Sequence, residues 1–380
     1  MKANNAILNY INAALFNAKP AIVDADLAQV YRLSKKNGVT GLVWRGMQML
    51  GVHSPAGQTF QVYANKLTYQ YLQQSYELER LTKRLEAERI PFVALKGSRI
   101  RRLYPSPDLR TSCDIDLLFD APDEKILALM QDMGYRFLVD AGVTINYAMP
   151  PVVEIEMHRT LLDEGMDFSG YFGSVWERCV PAREGSAEHL LTEEDFYAFM
   201  IAHMAKHFTR YGCGVRPLVD MYLYNRNLPA EFSREKADTI LREIGLLDFE
   251  KRLRLLTSAW FEEQNLSQED EMLTQFIFGA GVYGNTHISA TSGIRKSKNR
   301  RADKLRKNLR FAFPPMSIMK TQYPLLGKLP FLLPFFWPVR WCRVFSKRRR
   351  EGMRDIKTYN SVKAEDVQYI AHVMHELHLD

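Results

Sequence analysis

The chain has 380 residues, 46% of them hydrophobic, enough to build more than one domain core and too apolar to be disordered as a whole. Its four cysteines, Cys113, Cys179, Cys213 and Cys342, form no Cys-x-x-Cys pair and are too sparse for a disulfide framework, so a reducing cytoplasm is expected. The net charge of +7 is uneven: residues 295–354 hold 18 Lys and Arg against two acids, a local +16 that leaves −9 for the rest, so an anionic partner is expected at that late segment.

In chain order, MKANNAILNYINAALFNAK has no cationic start followed by an apolar stretch and a small-residue cleavage site; it reads as an amphipathic helix and not as a secretion signal. Residues 4–88 read as helical throughout, with Val62, Leu67, Tyr71 and Leu78 at near-helical spacing in the last run. At Ile90 the texture changes. IPFVAL is a short β-like run, SRIRRLY a short helix, PSPDLRTSC a proline-rich loop, DIDLLF a strand and PDEKILALMQDMGY an amphipathic helix; YRFLV, VTINYAM and VVEIEMH are three further strands. Helices resume at LLTEEDFYAFMIAHMAKHF, with Thr192 as N-cap and acids in the first turn, and continue through PLVDMYLYNRN and residues 233–280. SATSGIRKSKNRRADK reads as an exposed basic loop, and an aromatic, proline-rich run follows it. The greasiest stretch, FLLPFFWPVRWCRVF (331–345), is broken by Pro334, Pro338, Arg340 and Arg343, so no transmembrane segment is predicted. The expected fold class is α+β: a small mixed-sheet domain at 89–165, flanked by a helical region 1–88, a helical domain 166–290 and a basic, aromatic and proline-rich segment 291–380 that ends in a helix.

The strand DIDLLF threads two aspartates through an apolar run. Alternate residues of a strand share a face, so Asp114 and Asp116 project together while Ile115 and Leu117 project to the other side. Two like charges on a half-buried face are costly unless a cation neutralises them, and a divalent metal would do so. VVEIEMH offers a third carboxylate in the same alternation, either Glu154 or Glu156. Gly97 and Ser98 follow a strand and open a helix, a place where backbone N–H groups and a hydroxyl bind phosphate.

Together these residues carry a resemblance. Lys-Gly-Ser at the start of a helix, Asp-x-Asp on a strand and a later acidic strand resemble the nucleotidyltransferases of the DNA polymerase β-like superfamily. The longer string LKGSRIRRLYPSPDLRTSCDIDLLF, with EIEMH downstream, is similar to a bacterial group of uncharacterised nucleotidyltransferase family proteins. The likeness extends through HMAKHF, CGVRPLVDMYLY and FPPMSIMKTQYPLLGKLPFLLP, roughly residues 10–350. It implies an enzyme that moves an NMP from a nucleoside triphosphate such as ATP to an acceptor, with Mg²⁺ or Mn²⁺ held by Asp114, Asp116 and Glu156, the last helping to activate the acceptor. It further implies that Gly97 and Ser98 hold the terminal phosphates, with Lys96 and Arg110 neutralising their charge.

Other features stay open on sequence alone. His158 reads equally as an orienting neighbour of the metal or as a packed histidine. His203 and His207 have the i, i+4 spacing of zinc ligands, with Lys206 beside them, but no third ligand is in view. Their helix face either packs on the catalytic domain or closes over nucleotide and acceptor. Arg216 and Asp220, also i, i+4, are expected to form a structural ion pair. The segment 295–350 reads as a solvated loop and strap, or as a surface for RNA or for the inner membrane face, with KRRR at 347–350 beside Trp337 and Trp341. The acceptor is open among saccharide, RNA and protein. A non-catalytic nucleotide-binding module and a toxin-like enzyme acting on tRNA or protein are the alternatives.

Overall fold

The structure, a computed structural model, describes residues 1–151, 153–163, 168–263, 265–295, 309, 312–323, 325–347, 358–359 and 361–380. Four helices come first: α1 (Lys2–Phe16), α2 (Leu27–Lys36), α3 (Thr40–Met49) and the long α4 (Gly57–Ala87). Asp26 caps α2 by accepting from the Ala28 amide. α1 and α3 touch backbone to side at Gly46, where an added Cβ would stand 1.9 Å from the Tyr10 carbonyl oxygen.

The chain then builds a five-stranded sheet from β1 (Phe92–Ala94), β2 (Asp114–Phe119), β3 (Arg136–Asp140), β4 (Thr144–Met149) and β5 (Val153–His158), with α5 (Lys96–Ile100) after β1 and α6 (Asp123–Asp132) after β2. The order across the sheet is β1-β2-β5-β4-β3. β2 and β5 run parallel and their neighbours antiparallel, so the fold is α+β with a mixed sheet. Alternation along the strands divides it into two faces. Ile115, Leu117, Ile155, Met157 and Tyr147 pack with Leu81 and Leu85 of α4 and Ile126 and Met130 of α6 into one core. The opposite face carries Asp114, Asp116, Glu156 and His158.

Helices roof that polar face. After α7 (Ser169–Gly173) and a two-stranded ribbon of β6 (Val180–Pro181) and β7 (His189–Leu190) come α8 (Glu193–Arg210), α9 (Val215–Arg226), α10 (Arg234–Glu243), α11 (Leu247–Ser258), α12 (Gln268–Ala280) and α13 (Thr286–Arg295). The Thr192 hydroxyl accepts from the Asp195 amide and starts α8 as the sequence predicts. One continuous core joins α1 and α3 to α8, α9, α11 and α12, and it also takes in Val93 and Leu118 of the sheet, Leu95 just after β1, and Ile370 and Val373 of the terminal helix Ala364–Glu376.

Residues 289–295, expected to be loop, are helical and belong to α13. The Asn285 side chain accepts from the His287 amide at the start of α13, and Ile294 near its end is buried with Tyr359, Val362 and Val367. The remainder of the expected basic loop, 296–304, and the Arg348–Arg350 part of KRRR lie outside the described residues. No described helix is long and apolar enough to cross a membrane.

Candidate active site

The register of β2 against β5 sets Asp114 opposite Glu154 and Asp116 opposite Glu156. Of the two glutamates, Glu156 enters the cleft and Glu154 is exposed outside it. Asp116, Glu156 and His158 each bring a ligand atom within 4.8 Å of the others. His158 Nε2 stands 3.2 Å from Asp116 Oδ1 and 3.7 Å from Glu156 Oε2. From β4, Asn146 Nδ2 donates to Glu156 Oε1 at 3.0 Å, which fixes the carboxylate in the plane of the sheet face.

These groups perturb one another. Burial, with the charges of Asp116 and Glu156 beside it, pushes the Asp114 carboxyl up to about 7. Burial would raise Asp116 too, but the His158 hydrogen bond and charge, with Lys96 and Arg110, outweigh it and hold this carboxyl below its usual range. Glu156 is raised by burial and by Asp116. One ionised and two reluctant carboxyls on one face form a set that a divalent cation would relieve, and three donors of O and N type within reach suit one. The His158 Nδ1 is buried without a partner.

The cleft over this face has a volume of ≈ 360 Å³ and is also lined by cations. Lys96, at the start of α5, lies against the Phe199 ring of α8, 4.8 Å from its centroid, and has no carboxylate within ion-pair distance among the described residues. Burial brings its ammonium down to about 7, against the pull of Asp116. Arg110 is buried and held in a fork by Asp220, Nε to Oδ1 at 2.9 Å and Nη2 to Oδ2 at 2.8 Å. Its remaining Nη1 points at Gly97, 3.7 Å from where a Cβ would sit. Lys206 of α8 lines the cleft and reaches Asp163 at 3.3 Å.

The expected Arg216–Asp220 pair is not what forms. Asp220 is filled by Arg110 and by the Tyr104 hydroxyl, 2.7 Å away, whereas Arg216 turns into the cleft. Its Nη1 donates to the Thr111 carbonyl at 2.8 Å, and its Nε is buried with no partner. Spacing alone favoured the pair, yet one cue stood against it. Arg216 occupies the first turn of α9, where the helix dipole disfavours a cation, so an arginine there signals a use outside the helix.

The sequence's remaining candidates are divided by the geometry. Gly97 lines the cleft, while the Ser98 hydroxyl donates back to Leu95 O at 3.0 Å and lies in a small gap with Gln74, Arg101, Asp114 and Asp116. His203 and His207 both line the cleft, ring centroids 4.5 Å apart. Burial and the surrounding cations, Lys96 foremost, hold them neutral, with His207 down at about 3. No described group of three ligands includes either one, so the spacing does not become a zinc site. Tyr283 and Cys113, unremarked in the sequence, meet at the mouth, Oη to Sγ 2.6 Å.

A half-buried acidic face in a cleft also lined by cations, on a mixed sheet whose first strand runs into a short Lys-Gly-Ser helix, agrees with an enzyme that transfers nucleotidyl groups. Over residues 24–262 the chain matches the family described as uncharacterised nucleotidyltransferase, and it is a member of that family. A solved structure, an antigenic nucleotidyltransferase-like protein from Paracoccidioides brasiliensis, is 17% identical over 47% of this chain and 88% of its own, with a TM-score of 0.30. No functionally curated protein matches this chain.

Proposed function

We propose that this transferase moves an NMP from a nucleoside triphosphate to an acceptor hydroxyl or phosphate, and that the cleft between the sheet and α8–α9 is where it does so. The observation behind this reading is the mixed lining of that cleft: the carboxylates Asp114, Asp116 and Glu156, with the cations Lys96 and Arg110 from the sheet domain and Lys206 and Arg216 from α8 and α9. In the reaction an acceptor oxygen bonds to the α-phosphorus, the bond to the bridging oxygen breaks, and pyrophosphate leaves. A triphosphate lying in such a cleft meets these cations, which stabilises charge that grows on the leaving group.

Asp114, Asp116 and Glu156 would hold Mg²⁺ or Mn²⁺, which when bound supplies positive charge to the phosphates and to the attacking oxygen. Glu156, with its Oε1 fixed by Asn146, presents Oε2 to accept the acceptor's proton. His158 orients both Asp116 and Glu156. Gly97 lets a phosphate approach the backbone and the Arg110 Nη1, and the Ser98 hydroxyl reaches it by turning from Leu95 O. Arg216 adds a half-buried guanidinium that has no carboxylate in ion-pair contact among the described residues, and a charge so placed is stabilised when an anion arrives. Residues 89–165, which carry the carboxylates with Lys96 and Arg110, and residues 166–290, which carry Lys206 and Arg216, would thus build one site together, in the cytoplasm, where NTPs are supplied.

Transfer of α-label from each NTP to fractionated cell extract, with Mg²⁺ or Mn²⁺, tests the reading. The Asp114→Asn/Asp116→Asn double variant should lose roughly 10³-fold or more in rate. Equal turnover by the variant would reject the assignment of the site.

A further inference from the structure

A helix that is apolar on most sides normally vanishes into a core. The helix Leu333–Lys347, entered through the turn Pro330–Leu332, does not, because none of the side chains described along it is buried. One side leans on the preceding chain. Trp337 Nε1 donates to the Pro314 carbonyl at 3.1 Å, Trp341 Nε1 to that of Ala312 at 2.6 Å, and Phe336 meets the Tyr323 ring edge-on. The other side presents Phe331, Phe335 and Val339, spaced by one turn each and 70%, 71% and 51% exposed. Leu325 and Leu329 extend this apolar surface toward the N-terminus.

The same part of the sequence carries the +16 of residues 295–354, with Arg340, Arg343 and Lys347 on the helix itself. An apolar stripe with aromatic residues, in a stretch of sequence dense in Lys and Arg, is the makeup of a helix that lies in a membrane interface. We infer that this face docks on the surface of an anionic lipid bilayer, with Phe331, Phe335 and Val339 entering the acyl boundary and the cations meeting headgroup phosphates. The contact is peripheral, since no described helix can span. A second copy of the chain would set +16 against +16. RNA would attract the cations equally but gives Val339, Leu325 and Leu329 nothing to bury against, since aliphatic side chains do not stack on bases as aromatic ones do. The inference is independent of the chemistry proposed for the cleft.

Sedimentation of the full-length protein with vesicles tests it. Phosphatidylglycerol-containing vesicles should bind at least about tenfold more tightly than pure phosphatidylcholine ones, and the gap should narrow as salt rises from about 0.1 to 0.5 M. Phe331→Ser/Phe335→Ser should weaken the anionic-vesicle binding about tenfold or more, with circular dichroism and NTP transfer unchanged. In the unaltered protein, brominated acyl chains should quench tryptophan fluorescence, a readout that needs no variant. The inference is overturned if anionic vesicles bind no better than neutral ones or if the double variant binds equally well. It is also overturned if the two phenylalanines prove to serve a dimer or a single-stranded RNA oligonucleotide while vesicles are ignored.

Discussion

At the residue scale, two arginines with similar surroundings have different duties. Arg110 is 5% exposed and matched by an Asp220 equally hidden, so the pair must be kept whole. Asp220→Asn leaves a buried guanidinium without its counter-charge and should cost on the order of 3 kcal/mol, read from urea unfolding. Arg216 has no carboxylate in ion-pair contact among the described residues. Arg216→Ala should leave the unfolding midpoint nearly unchanged but weaken protection by inorganic tripolyphosphate, and raise KM for NTP, by about tenfold or more, the loss of a charge-assisted hydrogen bond. If stability fell and tripolyphosphate binding stayed, Arg216 would be the structural residue its spacing first suggested.

At the scale of elements, α1 and α3 are held together by the absence of a side chain. The Cβ of Gly46→Ala would meet backbone, the Tyr10 carbonyl, and backbone cannot swing aside as a flexible side chain can. The helices would have to separate, opening the core that Ile7, Ile11 and Val43 share. We expect about 2–3 kcal/mol of destabilisation, measured by thermal or urea unfolding, and a smaller loss for Gly245→Ala, where no atom lies within 4 Å and backbone strain alone acts.

For the molecule as a whole, the roof over the cleft sets a dependence on pH. His203 and His207 face Lys96 of α5, Lys206 and Arg210 of their own helix, Arg216 of α9 and His158 of β5. Burial among these groups holds both histidines neutral in the fold, whereas an unfolded histidine protonates near 6.5. Between that value and about 3 for His207 the unfolded histidine binds more protons, so the contribution of these two histidines to folding stability is full above 6.5 and is lost as pH falls, against the opposite trend of Asp114, raised to about 7. For His207 alone the loss by pH 5 is about 2 kcal/mol, and His203→Gln/His207→Gln should flatten the midpoint-versus-pH curve over that range. An unaltered slope would assign the acid sensitivity to other groups.

The parts of this protein that its sequence determined are those governed by near neighbours. Alternation in DIDLLF and EIEMH put the carboxylates on one face because a strand repeats every two residues, and Thr192 started α8 because a hydroxyl there satisfies a free amide. The helical character of 289–295 was hidden, since the burial of Ile294 depends on Tyr359 and Val362, far along the chain. Which glutamate joins the aspartates was settled by the parallel register of β5 and by the cleft over it, and spacing within one strand is silent on both. The same holds for Asp220. Four residues from Arg216 on one helix, it is taken by Arg110 from more than a hundred residues away, because a fork of two hydrogen bonds in a buried site outweighs a single contact along a helix surface.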